Sequence, residues 1–325
     1  MKVTAFAATM QAVWFSHDLG ETWNRPKTPS GGFYNEARCW SVVSHPQRPG
    51  EFLAGTDQGL YRWLHETQCW NYIPSPMDDL HIQQLARSPD DPSFIVCGTR
   101  PGEIFKSEDD GITWQRCNLD AATECWFINT TRVTSIQFDP DDRDTIWITI
   151  EIDGVFRSKD RGETWESLSA GLRDVDTHNL VFFGQPGERT IFCATEAGLH
   201  KSTNEGQTWE FCPTPESPWP YLRCLETKKD GSGIMFASVG QLPSGDVGML
   251  LRSMDKGETW EKSPVPEPIN STIWWIGTNP VDPNLIFLCT IFGQIFRSQD
   301  GGESWIKMKR ELGEVRMIGW APTPE

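Results

Sequence analysis

The 325-residue chain contains no run of about 18 apolar residues, so nothing in it reads as a membrane-spanning helix. Basic side chains are scarce: 29 Lys and Arg stand against 45 Asp and Glu, a formal net charge of −16. A body this acidic repels nucleic acid and anionic lipid at long range, which argues against both as partners. No CxxC pair occurs, and the nine cysteines are odd in number and scattered. That pattern suits free thiols in a reducing compartment, and a cytoplasmic protein is expected. No low-complexity tract or charge block marks a linker, so residues 1–325 read as a single domain. There is no Gly-rich phosphate loop, no Gly-x-Ser-x-Gly elbow and no tight His/Cys spacing. Neither a cofactor nor a metal is called for.

Turn formers, by contrast, are plentiful: 28 Gly and 23 Pro are spread along the chain, as between many short strands. They belong to an internal repeat. Ser-x-Asp-x-Gly-x-Thr-Trp occurs first with Ser16, Asp18, Gly20, Thr22 and Trp23, and again over 107–114, 158–165 and 253–260. Near-copies run over 202–209, with Asn204 for Asp, and 298–305, with Ser304 for Thr. A degenerate seventh copy, 63–70, keeps only its final Trp70 and the preceding "GLYR". The starts are 44 to 51 residues apart. Asp or Asn can bond the backbone N–H groups that follow it, Gly supplies positive φ, and Trp opens the next strand as a large packing ring. Each period holds three further strand-like runs, as in "RVTSIQFDP", "DTIWITI" and "GVFRS". A four-stranded antiparallel meander per repeat follows.

The boxes resemble those of the BNR/Asp-box β-propellers, over essentially the whole chain. That family includes sialidases, xyloglucan-cleaving glycosidases, sortilin-type receptors and a photosystem II assembly factor. The resemblance implies an all-β, seven-bladed propeller, and it marks the scaffold far better than the chemistry. The absence of a Trp-Asp dipeptide separates the chain from WD-repeat propellers. "TAFAAT" near the start matches second strands such as "FIVCGT", and "EVRMIGWAP" near the end matches first strands. The C-terminal strand is therefore expected to complete the N-terminal blade, closing the ring and removing sheet edges.

In such a meander the boxes share a face with short, stereotyped turns such as "SPDDPS" and "DPDDRD". The opposite face carries the variable connections 28–37, 120–131 and 212–220 and an insertion at 240–248, so the site is expected there. Aligning the inner strands on their closing Pro places Arg38, His81, Arg132, His178, Tyr221, Thr272 and Glu314 at the mouth of the central channel. Two positions deeper come Trp40, Gln83, Thr134, Leu180, Arg223, Trp274 and Arg316. Arg38, Arg132, Arg223 and Arg316 are candidates for holding a carboxylate or phosphate, since guanidinium groups fork onto such anions. The alternative is that these charges pair with neighbours such as Glu36, Glu124 or Asp176.

A small polar ligand, anionic or sugar-like, is the expected partner. Trp126, Trp219 and Trp274, with Tyr34 and Phe127, are candidates for contacting it. For turnover, general acid/base chemistry would fall to His81, His178, Glu314, Tyr221, Asp57 or Glu196. Sialidase activity proper is disfavoured: the Arg-Ile-Pro motif is missing and the resemblance gives sialidases six blades. The competing reading is a non-catalytic scaffold that binds a protein through its loop aromatics.

Overall fold

The computed structural model describes residues 1–27, 37–125, 128–214 and 216–324. The fold is all-β, a seven-bladed β-propeller. Blade one comprises Cys39–Ser44, Glu51–Thr56, Gly59–Leu64 and Cys69–Ile73. Blade two comprises His81–Arg87, Ile95–Arg100, Ile104–Ser107 and Gln115–Arg116, and blade three Arg132–Phe138, Ile146–Glu151, Gly154–Ser158 and Glu166–Ser167. Blade four runs through Thr177–Phe183, Thr190–Thr195, Gly198–Ser202 and Glu210–Cys212. Blade five is Tyr221–Thr227, Met235–Gly240, Gly248–Ser253 and Glu261–Lys262, and blade six Ile273–Gly277, Ile286–Thr290, Ile295–Ser298 and Ile306–Lys307. In the closing blade Val3–Thr9 lies between Val13–Ser16 and Val315–Pro322, as the strand matching anticipated. Among the described residues its outer position holds a single bridge, Phe15 to Asn24.

Contacts gather the chain into two compact units. One, residues 1–54, 61–72 and 214–325, holds the closing blade, blades five and six and most of blade one. The other, 55–60 and 73–213, holds blades two, three and four. Within each blade the second strand is buried along its length, which is why "IWITIE" and "TIFCAT" read as near-continuous apolar runs. Outermost strands such as Glu166–Ser167 and Glu261–Lys262 are exposed and charged, a device that blunts sheet edges.

The boxes close on themselves. In the box beginning at Ser158, the Ser158 hydroxyl donates to Asp160 (2.8 Å) and accepts from the Gly162 N–H (2.8 Å). The Asp160 carboxylate accepts from the Thr164 N–H (2.9 Å) and hydroxyl (2.5 Å). The same four bonds recur at Asp18, Asp109, Asp255 and Asp300. At Asn204 the amide instead donates to the Thr208 hydroxyl, so one bond reverses and the turn survives. These carboxylates are engaged in their own turns. Gly302, at φ +92°, could not take a side chain: an added Cβ would lie 2.6 Å from the Phe236 ring.

The residue just before the box Ser also has a role, which the sequence reading did not anticipate. Lys106 donates to the Arg161 carbonyl (3.0 Å) in the box of the next blade and pairs with Glu163. Arg157 donates to the Glu205 carbonyl (3.0 Å), and Arg297 to the Leu19 carbonyl (2.7 Å) while facing Glu21 at 3.2 Å. Arg252 reaches Glu303 at 2.7 Å. The three carbonyls belong to residues with positive φ, at the same place in each box. A cation thus latches each of these blades to the turn of its neighbour. Where the box has decayed the latch is apolar: Phe15 stands at the basic position and its ring lies 5.2 Å from that of Trp63, which replaces the box Ser. Phe6, Phe52 and Trp70 complete that aromatic cluster.

Candidate functional site

One irregularity recurs in every first strand whose pairing is described here for blades two to six and the closing blade. The register slips by one residue against the second strand, leaving Gln83, Thr134, His178, Arg223, Trp274 and Arg316 as the extra residue. Such bulges bend the strand and re-aim a side chain. They coincide with the deeper row of the sequence alignment in five blades. Blade four departs from it: His178, not Leu180, is the bulged residue, and Asp176 takes the outer place that the alignment gave to His178. The reason is local. Two extra residues separate the strand from Pro186, so aligning on proline shifted the frame by two. Leu180 pairs regularly with Cys193.

In the unit of blades two to four, Arg132 pairs with Glu151 across the first two strands of blade three. Thr134 donates to the Thr177 carbonyl (2.6 Å) of blade four, and Thr177 donates back to the Ile150 carbonyl (3.0 Å). His178 is 2 % exposed, with Nε2 3.4 Å from the Asp176 carboxylate. Glu196, in the turn after Thr190–Thr195, bonds the Asp176 carbonyl through its backbone N–H (3.0 Å) and the Asp176 carboxylate through its side chain. Burial raises the Glu196 carboxyl above its ordinary pKa, and the charges of Asp176 and Asp174 add to the rise. Asp57 occupies the corresponding turn of blade one and is half-buried, and His81 opens the first strand of blade two. Asp176, the partner of His178 and Glu196, was not among the sequence candidates for catalysis. Its signal was an acidic residue at the start of a first strand.

In the other unit, three successive bulged residues meet. The Arg223 guanidinium lies 3.9 Å from the centre of the Trp274 ring, and that of Arg316 lies 4.8 Å from it. Arg316 pairs with Glu314, so one ligand candidate and one catalytic candidate neutralise each other. Trp274 is 3 % exposed and offers no open face to a sugar. Tyr221 is buried at the start of blade five, Arg38 is exposed just before blade one, and Trp219 is half-buried with its carbonyl bonded by Ser217 (2.9 Å). Trp126, Tyr34, Glu36 and Phe127 lie outside the described residues.

A cleft of about 310 Å³ opens in the unit of blades two to four on the box side, lined by Asp142, Arg157, Lys159, Gly187, Arg189 and Glu205 among others. Its floor is a buried ion pair: Arg189, its side chain 1 % exposed, forks onto Asp139 and reaches Asp141 (2.7 Å). Asp139 also accepts from the Trp147 indole (3.1 Å). Every cation but Lys159 is engaged with protein groups, which marks the cleft as structural. Among the described residues no group of three or more His, Cys, Asp or Glu could hold a metal ion.

No family model matches the chain. Curated relatives do. A xyloglucanase of a Paenibacillus species is 25 % identical over 94 % of this chain and 34 % of its own length. Sortilin of Danio rerio is 20 % identical over 59 % of this chain and 22 % of its own length. The chain thus spans about a third or less of these two relatives. Among solved structures, the GH74 xyloglucanase of Xanthomonas campestris superposes with a TM-score of 0.64 at 23 % identity, over 88 % of this chain and 46 % of that one. YCF48 from Cyanidioschyzon merolae does so at 0.56 and 12 %, over 84 % and 85 %, and YCF48 bound to a D1 peptide at 0.53 and 16 %, over 87 % and 88 %. At these identities the structures speak for the fold alone. Sequence relatives and fold together place the chain among the relatives of the BNR-type β-propellers, as its repeats imply.

Proposed function

We propose that the protein binds a saccharide and cleaves it by glycoside-hydrolase-like acid/base chemistry, with Glu196 as the proton donor. The observation that carries this reading is the Glu196–Asp176–His178 arrangement in blade four. A glycosidase must keep one carboxyl protonated at working pH beside others that are ionised. Burial moves Glu196 in that direction, Asp176 reinforces the rise by charge and hydrogen bond, and His178, whose charge opposes it, faces Asp176 from its bulge. The similarity to a xyloglucanase over most of the chain supports a carbohydrate substrate. Arg132, paired with Glu151, is then a positioning group and not a free anion receptor.

Reducing-sugar release from xyloglucan and from a panel of neutral and acidic glycans tests the reading. Glu196→Gln should lower turnover by about 10²–10⁴-fold, the usual range for losing a general acid. The alkaline limb of the wild-type pH profile should lie above the ordinary glutamate range, because activity falls as Glu196 deprotonates and its pKa is raised. Undiminished turnover in Glu196→Gln removes Glu196 from the reaction.

One observation favours the scaffold alternative. Leu242 (54 % exposed) and Phe292 (45 %) flank the segment 270–272, held there by bonds from Thr272 to the Leu242 carbonyl (2.8 Å) and from Asn270 to the Phe292 carbonyl (3.2 Å). Exposed apolar side chains on rigid loops suit a peptide, and the YCF48 neighbour is seen with one. A wild-type protein inert on every glycan but retained by a peptide array through Leu242 and Phe292 would establish that role instead.

A further inference from the structure

The geometry points to a carboxylate-binding subsite at Arg223, Trp274 and Arg316, so that the saccharide is an acidic one carrying a uronate-type carboxylate. This names the substrate class of the proposed function and rests on that reading only for the sugar. The anion site stands on its own observations.

Arg223 is only 6 % exposed, and its Nε and Nη1 are enclosed without a hydrogen bond. No carboxylate faces it among the described residues. A guanidinium taken out of water without a counter-charge is costly, and folded proteins retain one only where something compensates. The contact with Trp274 compensates in part, since a cation over an indole face is attracted by the ring quadrupole. It leaves the N–H edge unsatisfied. A second guanidinium, Arg316, lies 4.8 Å from the centre of the same ring and adds to the positive potential there. An anion on the enclosed N–H edge of Arg223 would supply the counter-charge that the ring does not.

The charge selects the anion. Arg223 brings one positive charge, with no carboxylate paired to it among the described residues. One charge matches a carboxylate better than a doubly charged phosphate. The planar fork of Arg223 matches a carboxylate bidentately. The origin of the cluster is also specific. All three residues are the bulged residues of successive first strands, in blade five, blade six and the closing blade, so the backbone deviates in each blade to place them. The equivalent residues of the other unit, Gln83, Thr134 and His178, include no Arg. Trp274 serves as the post that supports the two cations and does not stack on the sugar.

Melting temperature measured with glucuronate, galacturonate, glucose and inorganic phosphate tests the inference. The uronates should raise it by about 4 °C at a hundredfold excess over Kd, on a chain of this size, and glucose should not. Phosphate should act more weakly than a uronate. Arg223→Met should abolish the uronate effect and, without ligand, melt at or above the wild-type temperature, because it removes an uncompensated charge. Arg223→Lys keeps the charge but loses the fork, and should weaken uronate binding at least tenfold. Glu196→Gln should bind uronates as the wild type does. If uronates fail to stabilise the wild type, or stabilise Arg223→Met equally, the subsite is wrong. If ligand-free Arg223→Met melts well below the wild type, Arg223 is a structural residue and the inference also falls. Neutral oligosaccharides binding while uronates do not would overturn the acidic substrate and leave the glycosidase reading intact.

Discussion

The pair Asp139–Arg189 allows a quantitative test of how the unit of blades two to four is held together. Arg189 lies in the turn between the first two strands of blade four and forks onto Asp139 at the end of the first strand of blade three. The side chains are 1 % and 5 % exposed, so screening by water is weak. Asp139→Asn keeps the shape and the bond from Trp147 but removes the charge that Arg189 was built around. Asp141 and Glu205 remain, at 2.7 and 3.7 Å, yet both are partly solvated. Breaking a buried pair from one side costs about 3–5 kcal/mol. For 325 residues the unfolding entropy is about 0.7 kcal/mol per kelvin, so Tm should fall by about 4–7 °C. Arg189→Met alone leaves Asp139 buried with bonds only from the Trp147 indole and the Asp141 N–H and no counter-charge, and should cost a similar amount. The double variant leaves no unpaired buried charge and should recover about 2 kcal/mol or more relative to the sum. Calorimetry of the four proteins closes the cycle. Additive losses would show that the two charges are not coupled and would refute this account of the interface.

The latches between blades give a sharper contrast. Arg297→Met, which loses the Leu19 carbonyl bond, should cost about 1.5–3 kcal/mol, and Glu21→Gln, at an exposed partner, less than about 1 kcal/mol. Equal losses in urea unfolding would mean that the ion pair and not the carbonyl bond is what matters. The box aspartates predict the acid limb of stability. Burial alone would raise the Asp160 carboxyl, but bonds from Thr164 and Ser158 bring it down to about 2, and the bonds from Thr259 and Ser253 likewise hold Asp255 at about 2. Folded values below the unfolded ones mean that the stabilisation is complete above the ordinary aspartate pKa and is lost as pH falls through it toward about 2. Asp160→Asn, which copies the natural Asn204 box, should flatten the melting curve against pH in that window. An unchanged slope would show that the turn bonds do not discriminate between charged and neutral carboxyl.

Much of the scaffold could be read from the chain because its rules are local. A Ser, an Asp and a Gly at fixed spacing make one turn by bonding one another, whatever surrounds them, and each copy announces a blade. The strand match between "EVRMIGWAP" and other first strands was enough to place the C-terminal strand beside Val3–Thr9. The first strands of the mouth were found for the same reason, by a proline at or within three residues of the strand end in six of the seven. That marker also caused the one misalignment, at His178, where two added turn residues moved Pro186 without moving the bulge.

The bulges themselves have no sequence code here: Gln, Thr, His, Arg, Trp and Arg occupy the same place, because a bulge is a mismatch between two strands and belongs to neither alone. Partner choice was hidden in the same way. Arg132 meets Glu151 and not Asp176, Arg316 takes Glu314, and Arg223 is left with an indole, all settled by which side chains the pleat and the bulge bring within reach. The sequence by itself determined the number of blades, the turns that bound them and the strand that closes them, since each depends on neighbours along the chain. The tertiary structure decided which charges pair with which, because charge pairing depends on distance and burial between residues far apart in sequence.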